Sequence, residues 1–310
     1  MVCHDQTGHV TQTTASRTPT GAALVLGSCV SLSFGAALAT ELFPALGAPG
    51  VTAVRLGIAA VILLLVIRPA VRAWDRRQWK ASIMFGVAIA DMNAAFYAAI
   101  DRIPLGPAVA TEFLGPLVLA AVLTRRVADT AWLMLAVSGV ALLGIDGIIG
   151  SDALDPVGVG FALIAAAFWA FYIRASAHAG AVIPGRGALA MAFVVASVLM
   201  LPFGVPATAI AATDPMLILL AIGTALLGSV IPYTLEFSAL RLLPQRVFGI
   251  LLSMEPATAT LAGWMLLGQD ASALRLIAIA LVIAASVGVS LVRPRARRAE
   301  EAPLSEPATP

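Results

Sequence analysis

Charge is scarce in this chain, and so are the residues on which most soluble chemistry depends. Only 12% of its 310 residues are charged, against about 25% in globular domains, while 60% are hydrophobic and the mean hydropathy is +0.96. An ordinary soluble domain is excluded. Lys80 is the single lysine and no GK[ST] element follows a glycine-rich run, which excludes ATP hydrolysis by a P-loop. The histidines, His4, His9 and His178, have no paired ligand spacing, so no metal or other cofactor is expected. There is no G-x-S-x-G elbow for a serine hydrolase. Two cysteines, Cys3 and Cys29, imply no disulfide framework.

Apolar runs are what the chain has in abundance. Ten of them cover residues 22–40, 50–67, 81–100, 104–123, 130–149, 157–177, 187–205, 216–238, 246–267 and 273–292. Each is close to the roughly 20 residues a helix needs to cross about 30 Å of hydrocarbon. The runs are continuous rather than alternating, which selects helices over a barrel. The expected fold is all-α: a polytopic bundle of ten transmembrane helices.

With the N-terminus inside, sixteen of the nineteen basic residues fall in inner segments, and only Arg102 and Arg275 fall outside. Asp101, Asp152, Asp155, Asp214 and Asp270 collect in the outer loops. Both termini are therefore expected to be cytoplasmic. The basic residues are spread over several loops, so the net charge of +2 points to no nucleic-acid partner. Residues 1–20 lack the apolar core of a cleaved signal, and residues 293–310 read as a charged, proline-rich, disordered tail. The stretch Leu26, Gly27, Ser28, Cys29 is lipoprotein-like only in outline, because the apolar run continues past the cysteine.

Laying residues 97–117, YAAIDRIPLGPAVATEFLGPL, on residues 237–257, FSALRLLPQRVFGILLSMEPA, aligns Pro104 with Pro244 and Pro116 with Pro256. The offset of 140 residues equals five spans, so the second copy crosses in the opposite direction. An inverted five-plus-five repeat is expected, with one half over 21–150 and the other over 151–292.

The stretches 229–263 and 101–117 are similar to the EamA-type branch of the drug/metabolite transporter superfamily, most of all to its threonine/homoserine exporter group. The S-x-E-P-A signature stands as Ser253, Met254, Glu255, Pro256 and Ala257. The resemblance implies an inner-membrane exporter of small metabolites, amino acids above all, driven by a proton gradient; drug-like cations are the alternative cargo. Its partners would be the small-molecule cargo, protons and the lipid bilayer.

The residues point to that class independently. An ionisable group within a span costs about 2.5–3.5 kcal/mol on insertion scales and faces the bundle interior or a cavity. Those near mid-span are Asp91, Glu112 and Glu255, with Arg55 in the second run and Asn93 beside Asp91. A carboxylate that holds either a proton or the ammonium of an amino acid, but not both, couples the two movements; Glu112, Glu255 and Asp91 are candidates. The competing reading of Glu255 is a permanent interhelical tie. Arg55 either receives the cargo carboxylate or forms an internal salt bridge to Glu41, Asp91 or Glu112. Asn93, Tyr97 and Tyr233 are candidate hydrogen-bonding groups, and Glu236 is expected to pair with Arg241 at the aqueous rim. Pro116, Pro256 and Pro232 each remove a backbone donor and free a carbonyl one turn earlier, either to line a cavity or to kink the helix. An intramembrane enzyme acting on a lipid-linked substrate through Glu255 and Asp91 is the remaining reading.

Overall fold

The computed structural model describes residues 17–124, 127–149, 154–239, 242–243, 248, 251–270 and 272–291; they are helical throughout, with no strand. Of the expected tails over 1–20 and 293–310, residues 1–16 and 293–310 lie outside the described residues, whereas residues 17–20, expected in the tail, already form the first turn of a helix. In chain order the helices are α1 (Arg17–Thr40), α2 (Phe43–Ile67), α3 (Arg76–Ile100), α4 (Leu105–Glu112), α5 (Leu114–Thr124), α6 (Val127–Ile149) and α7 (Pro156–Val182). They continue with α8 (Gly187–Leu199), α9 (Leu201–Ala211), α10 (Pro215–Ala225), a π turn over Leu226–Val230, α11 (Ile231–Ala239), α12 (Glu255–Leu267) and α13 (Ala273–Leu291).

Among the described residues, five stretches are long and apolar enough to cross a membrane: Pro19–Thr40, Phe43–Ile67, Arg76–Ile100, Pro156–Val182 and Pro215–Glu236. A sixth results if α8 and α9, bent by 83°, count as one span. The molecule is thus a multi-pass membrane protein. Leu105–Leu119, Thr130–Leu143 and Ala273–Gly288 are apolar but shorter.

Where they lie within the described residues, the ten expected runs fall largely on helix, but several are less regular than the hydropathy implies. The second begins at Phe43, before the expected residue 50, and is kinked at Gly47, whose φ of 67° and ψ of 158° suit only glycine. The seventh, read as straight over 187–205, turns sharply at Met200 because Pro202 starts a new helix in its first turn. The fourth breaks at Phe113, and the described part of the ninth begins a helix at Glu255 after a turn at Ser253 and Met254. Hydropathy registers only how apolar a run is, so none of these breaks alters it.

Lipid supplies no hydrophobic drive between helices, so close packing of small residues does the work. The longest contact joins α3 to α7. There Ala88, Ala90, Ala165, Ala166, Ala175 and Ala179 are buried, and Phe85 meets Tyr172 at 5.3 Å between ring centres. Ala162 and Ala166 are both buried, and a side chain on Gly115 would collide with the Ala166 backbone. Helix α1 lies along α11 and α12, α6 packs on α13, α2 packs on α8 and α9, and α4 crosses α12. At the loop ends Asp155 and Asp214 cap α7 and α10 by accepting from Val157 and Met216 amides at 2.9 and 2.8 Å. Asp155 also pairs with Arg102 at 3.1 Å, tying two loops that the charge pattern places on one face.

Candidate functional site

The site is assembled at three departures from regular helix. Proline at 232 has no N–H, so the carbonyl of Gly228, four residues back, lacks its α-helical donor. The preceding π turn spreads this irregularity over Leu226–Val230. Side chains from other helices satisfy it: Ser31 Oγ donates to the Leu227 carbonyl at 2.8 Å, and Arg55 Nη1 donates to the Gly228 carbonyl at 2.6 Å and to Ser229 Oγ at 3.0 Å. Helix α1 comes close enough because residue 35 is glycine; a Cβ there would overlap the Gly228 backbone. The carbonyl left without a helical donor by Pro232 is thus taken up by the Arg55 side chain.

Arg55 is 3% exposed. Its Nη2 donates to Asn93 Oδ1, Asn93 in turn donates to the Ile89 carbonyl at 2.7 Å, and the guanidinium lies 4.7 Å from the centre of the Tyr97 ring. All of these partners are neutral. The expected salt bridge to Glu41, Asp91 or Glu112 does not form: Glu41 is exposed at the turn after α1, and no carboxylate among the described residues lies within ion-pair distance of Arg55. Polar carbonyls and an aromatic face hold the charge instead, and its Nε has no acceptor among the described residues.

The two mid-span glutamates occupy helix ends. Glu112 is the last residue of α4 and Glu255 the first of α12. These helices cross antiparallel: the Leu105 amide at the start of α4 donates to Gln269 Oε1, just beyond the end of α12, at 3.0 Å, and Gly106 lies against Thr260. The far end of α4 therefore meets the near end of α12, bringing the carboxylates within electrostatic reach of each other. They are 8% and 7% exposed, and neither side chain has a hydrogen-bond or ion-pair partner among the described residues. Pro116 and Pro256 sit in the first turns of α5 and α12, where a missing N–H costs nothing. They start helices here, rather than freeing carbonyls within continuous spans as expected.

Tyr233 joins the two charged regions, within electrostatic reach of Arg55, Glu112, Glu236 and Glu255. Its ring meets Phe193 edge-on at 5.2 Å and Tyr172 at 6.4 Å. Arg55, Asn93, Tyr97, Tyr233, Glu112 and Glu255 thus gather in one interior region. Asp91 stands apart: two residues along α3 from Asn93, it faces roughly 200° away and is only half-buried.

Several hydroxyl residues of the site, Ser28, Ser31 and Ser33 on α1 together with Ser229 and Thr258, were not among the sequence candidates. Ser28 donates to Glu236 Oε1 at 2.6 Å, linking α1 to α11 across 208 residues. Ser33 meets Thr258 at 2.9 Å, linking α1 to α12 beside Glu255. Glu236 therefore has a partner inside the bundle; Arg241, its expected partner, lies outside the described residues. Serines at 28, 31 and 33 in an otherwise apolar run were the available signal.

Residues 156–291 match the EamA-like transporter family. The threonine/homoserine exporter RhtA of Escherichia coli K12 is 38% identical over 270 residues, 86% of this chain and 90% of that protein. The protein of the same name from Salmonella typhimurium LT2 is 38% identical over 263 residues, covering 84% and 88%. These relatives are named as exporters, not enzymes. A solved crystal structure with 18% identity aligns at a TM-score of 0.56 over 89% of this chain and 97% of the other, a likeness of fold. Identity sustained across nearly the whole of both chains, together with the family match over the second half, has one meaning: the chain belongs to the EamA-like transporter family.

Proposed function

We propose that the chain is a secondary exporter of small amino acids, threonine and homoserine among them, which exchanges them for protons across the inner membrane. The observation that carries this reading is the pair Glu112 and Glu255, more than nine-tenths buried and without a side-chain hydrogen-bond or ion-pair partner among the described residues. A buried, unpaired carboxylate is expensive, by several kcal/mol. A bound proton or a cargo ammonium relieves that cost equally well, and each excludes the other. Occupancy by one or the other couples their movements in opposite directions.

A zwitterion also needs a partner for its carboxylate. Arg55, with Nε open and its two Nη atoms committed to Asn93, Gly228 and Ser229, is oriented to take it. Tyr97 supports the guanidinium, and Tyr233 stands between the two charged ends. Asp91 enters only as a proton-coupling group. The cargo class is further supported by the relatives named for threonine and homoserine export.

The same reading takes the chain as ten spans in two inverted halves, 21–150 and 151–292, with both termini cytoplasmic. Helix packing supports it. Exchanging each span for the one five places on carries the α1–α11 contact onto α7–α3 and α1–α12 onto α7–α4, and leaves α6–α13, α4–α12 and α2–α8 unchanged.

Purified protein in sealed vesicles loaded with labelled threonine or homoserine provides the test, with an imposed pH gradient and Glu255→Gln beside the parent. The parent should drive efflux when the outside is acid, and the variant should lose that driven component by at least about tenfold. Absence of flux of both amino acids in the parent overturns the cargo assignment; driven flux retained in the variant overturns the coupling role of Glu255.

A further inference from the structure

Glu236 is an interior carboxylate that cargo binding does not use. It lies eight residues beyond Gly228, whose carbonyl receives Arg55, and eight residues at about 1.5 Å each put it roughly 12 Å further along α11. That direction is towards the inner end of the span in the topology proposed above, on which this inference rests. Glu236 is half-buried, where Glu112 and Glu255 are nearly inaccessible. It is therefore the carboxylate of this interior closest to inner water, and it remains within electrostatic reach of Glu255.

Its surroundings suit an acid that must hold and release a proton without leaving its place. Ser28 Oγ donates to it at 2.6 Å from α1. Facing it are Cys29 on α1, Tyr172 on α7, Tyr233 on its own helix and Glu255 at the start of α12. None of these is a cation, and among the described residues no ion pair locks Glu236 in one charge state. Helix α1 contacts both acids' helices, through Ser28 to α11 and through Ser33 and Thr258 to α12, so a shift of α1 changes the setting of both carboxylates together.

We propose that Glu236, held by Ser28, is the relay through which Glu255 exchanges its proton with the cytoplasmic side. In the step, the O–H bond on Glu255 breaks and one forms on Glu236. That proton then passes to inner water, leaving Glu255 anionic and ready for cargo ammonium. No other bond changes. Glu236 is a proton-transfer group, not a cargo ligand.

The test separates exchange from coupling. Counterflow of labelled threonine against unlabelled threonine needs no net proton movement, whereas gradient-driven efflux does. Glu236→Gln should keep counterflow within about twofold of the parent and lose driven efflux by at least about tenfold. Glu236→Asp should keep both, and Ser28→Ala should displace the pH profile of driven efflux while leaving counterflow in place. Driven efflux intact in Glu236→Gln overturns the relay, and so does loss of counterflow in a folded Glu236→Gln, since that makes it a cargo or structural residue. If Glu236→Gln does not fold, Ser28→Ala decides, and an unmoved pH profile overturns the proposal. A parent without driven efflux of any amino acid overturns the antiport reading as a whole, an outcome distinct from failure of the relay alone.

Discussion

Two long interfaces of the bundle do different work. Where α3 meets α7, contact is made by alanines and by aromatic rings such as Phe85 and Tyr172. Where α1 meets α11 and the π turn, contact is made by hydroxyls, freed carbonyls and a carboxylate: Ser28 to Glu236, Ser31 to Leu227, and glycine against glycine at 35 and 228. Under the proposed repeat these interfaces are equivalents, yet one is apolar except for a hydrogen bond at its end, from Gln78 to the Val182 carbonyl at 3.2 Å, and the other is polar along its length. An apolar interface in lipid is held by shape alone and has no reason to change with protonation. A polar one changes its bonding whenever its carboxylate gains or loses a proton. Under the proposed proton exchange, α3–α7 would serve as scaffold and α1–α11 as the proton-sensitive part.

The comparison can be broken in three ways. Gly35→Val should have the largest effect, because its side chain would meet the Gly228 backbone, which cannot yield as a flexible side chain can. A loss of about 3 kcal/mol or failure to accumulate folded protein is expected, read by size-exclusion chromatography of detergent extracts. Phe85→Ala on the apolar interface should cost about 2 kcal/mol, since lost packing is the only term in lipid, while counterflow per folded molecule stays unchanged. If Phe85→Ala instead slowed transport at equal folded amount, the scaffold assignment would fail. The smallest effect belongs to Asp155→Asn, at the exposed end of the α3–α7 interface, where Asp155 caps α7 and pairs with Arg102 just beyond α3. The Val157 amide and then the Arg102 guanidinium hold the Asp155 carboxyl below the usual carboxylate range. Its contribution is thus present at neutral pH and disappears as pH falls through the lowered value. The parent's thermal stability should converge on the variant's in acid, and salt should shrink the difference at pH 7.

Much of this was legible in advance. Mid-span acids are costly, so Glu112 and Glu255 stood out, and they prove to be buried and near one another. Arg55 stood out for the same reason, but its partners did not. Charge pairing suggested an acid, whereas the acceptors are a side-chain amide, a hydroxyl and a main-chain carbonyl freed by Pro232. A carbonyl is present at every residue and carries no sequence signature. Ser28 was hidden inside a stretch resembling a lipoprotein site, and its partner is 208 residues away, beyond the reach of local pattern. The bend at Met200 was missed because proline in the first turn of a helix and proline within one read alike until the boundary is known.

The π turn at Leu226–Val230 has an arithmetic consequence. Such a turn is an α-helix carrying one surplus residue, so everything after it is rotated by about 100° from the register an unbroken helix would give. Tyr233 and Glu236 owe their inward aim to that surplus. Deleting one residue between 226 and 230 would leave composition and hydropathy nearly untouched, yet it would swing both side chains out of the interior. In this span a single inserted residue separates a polar lining from an inert wall.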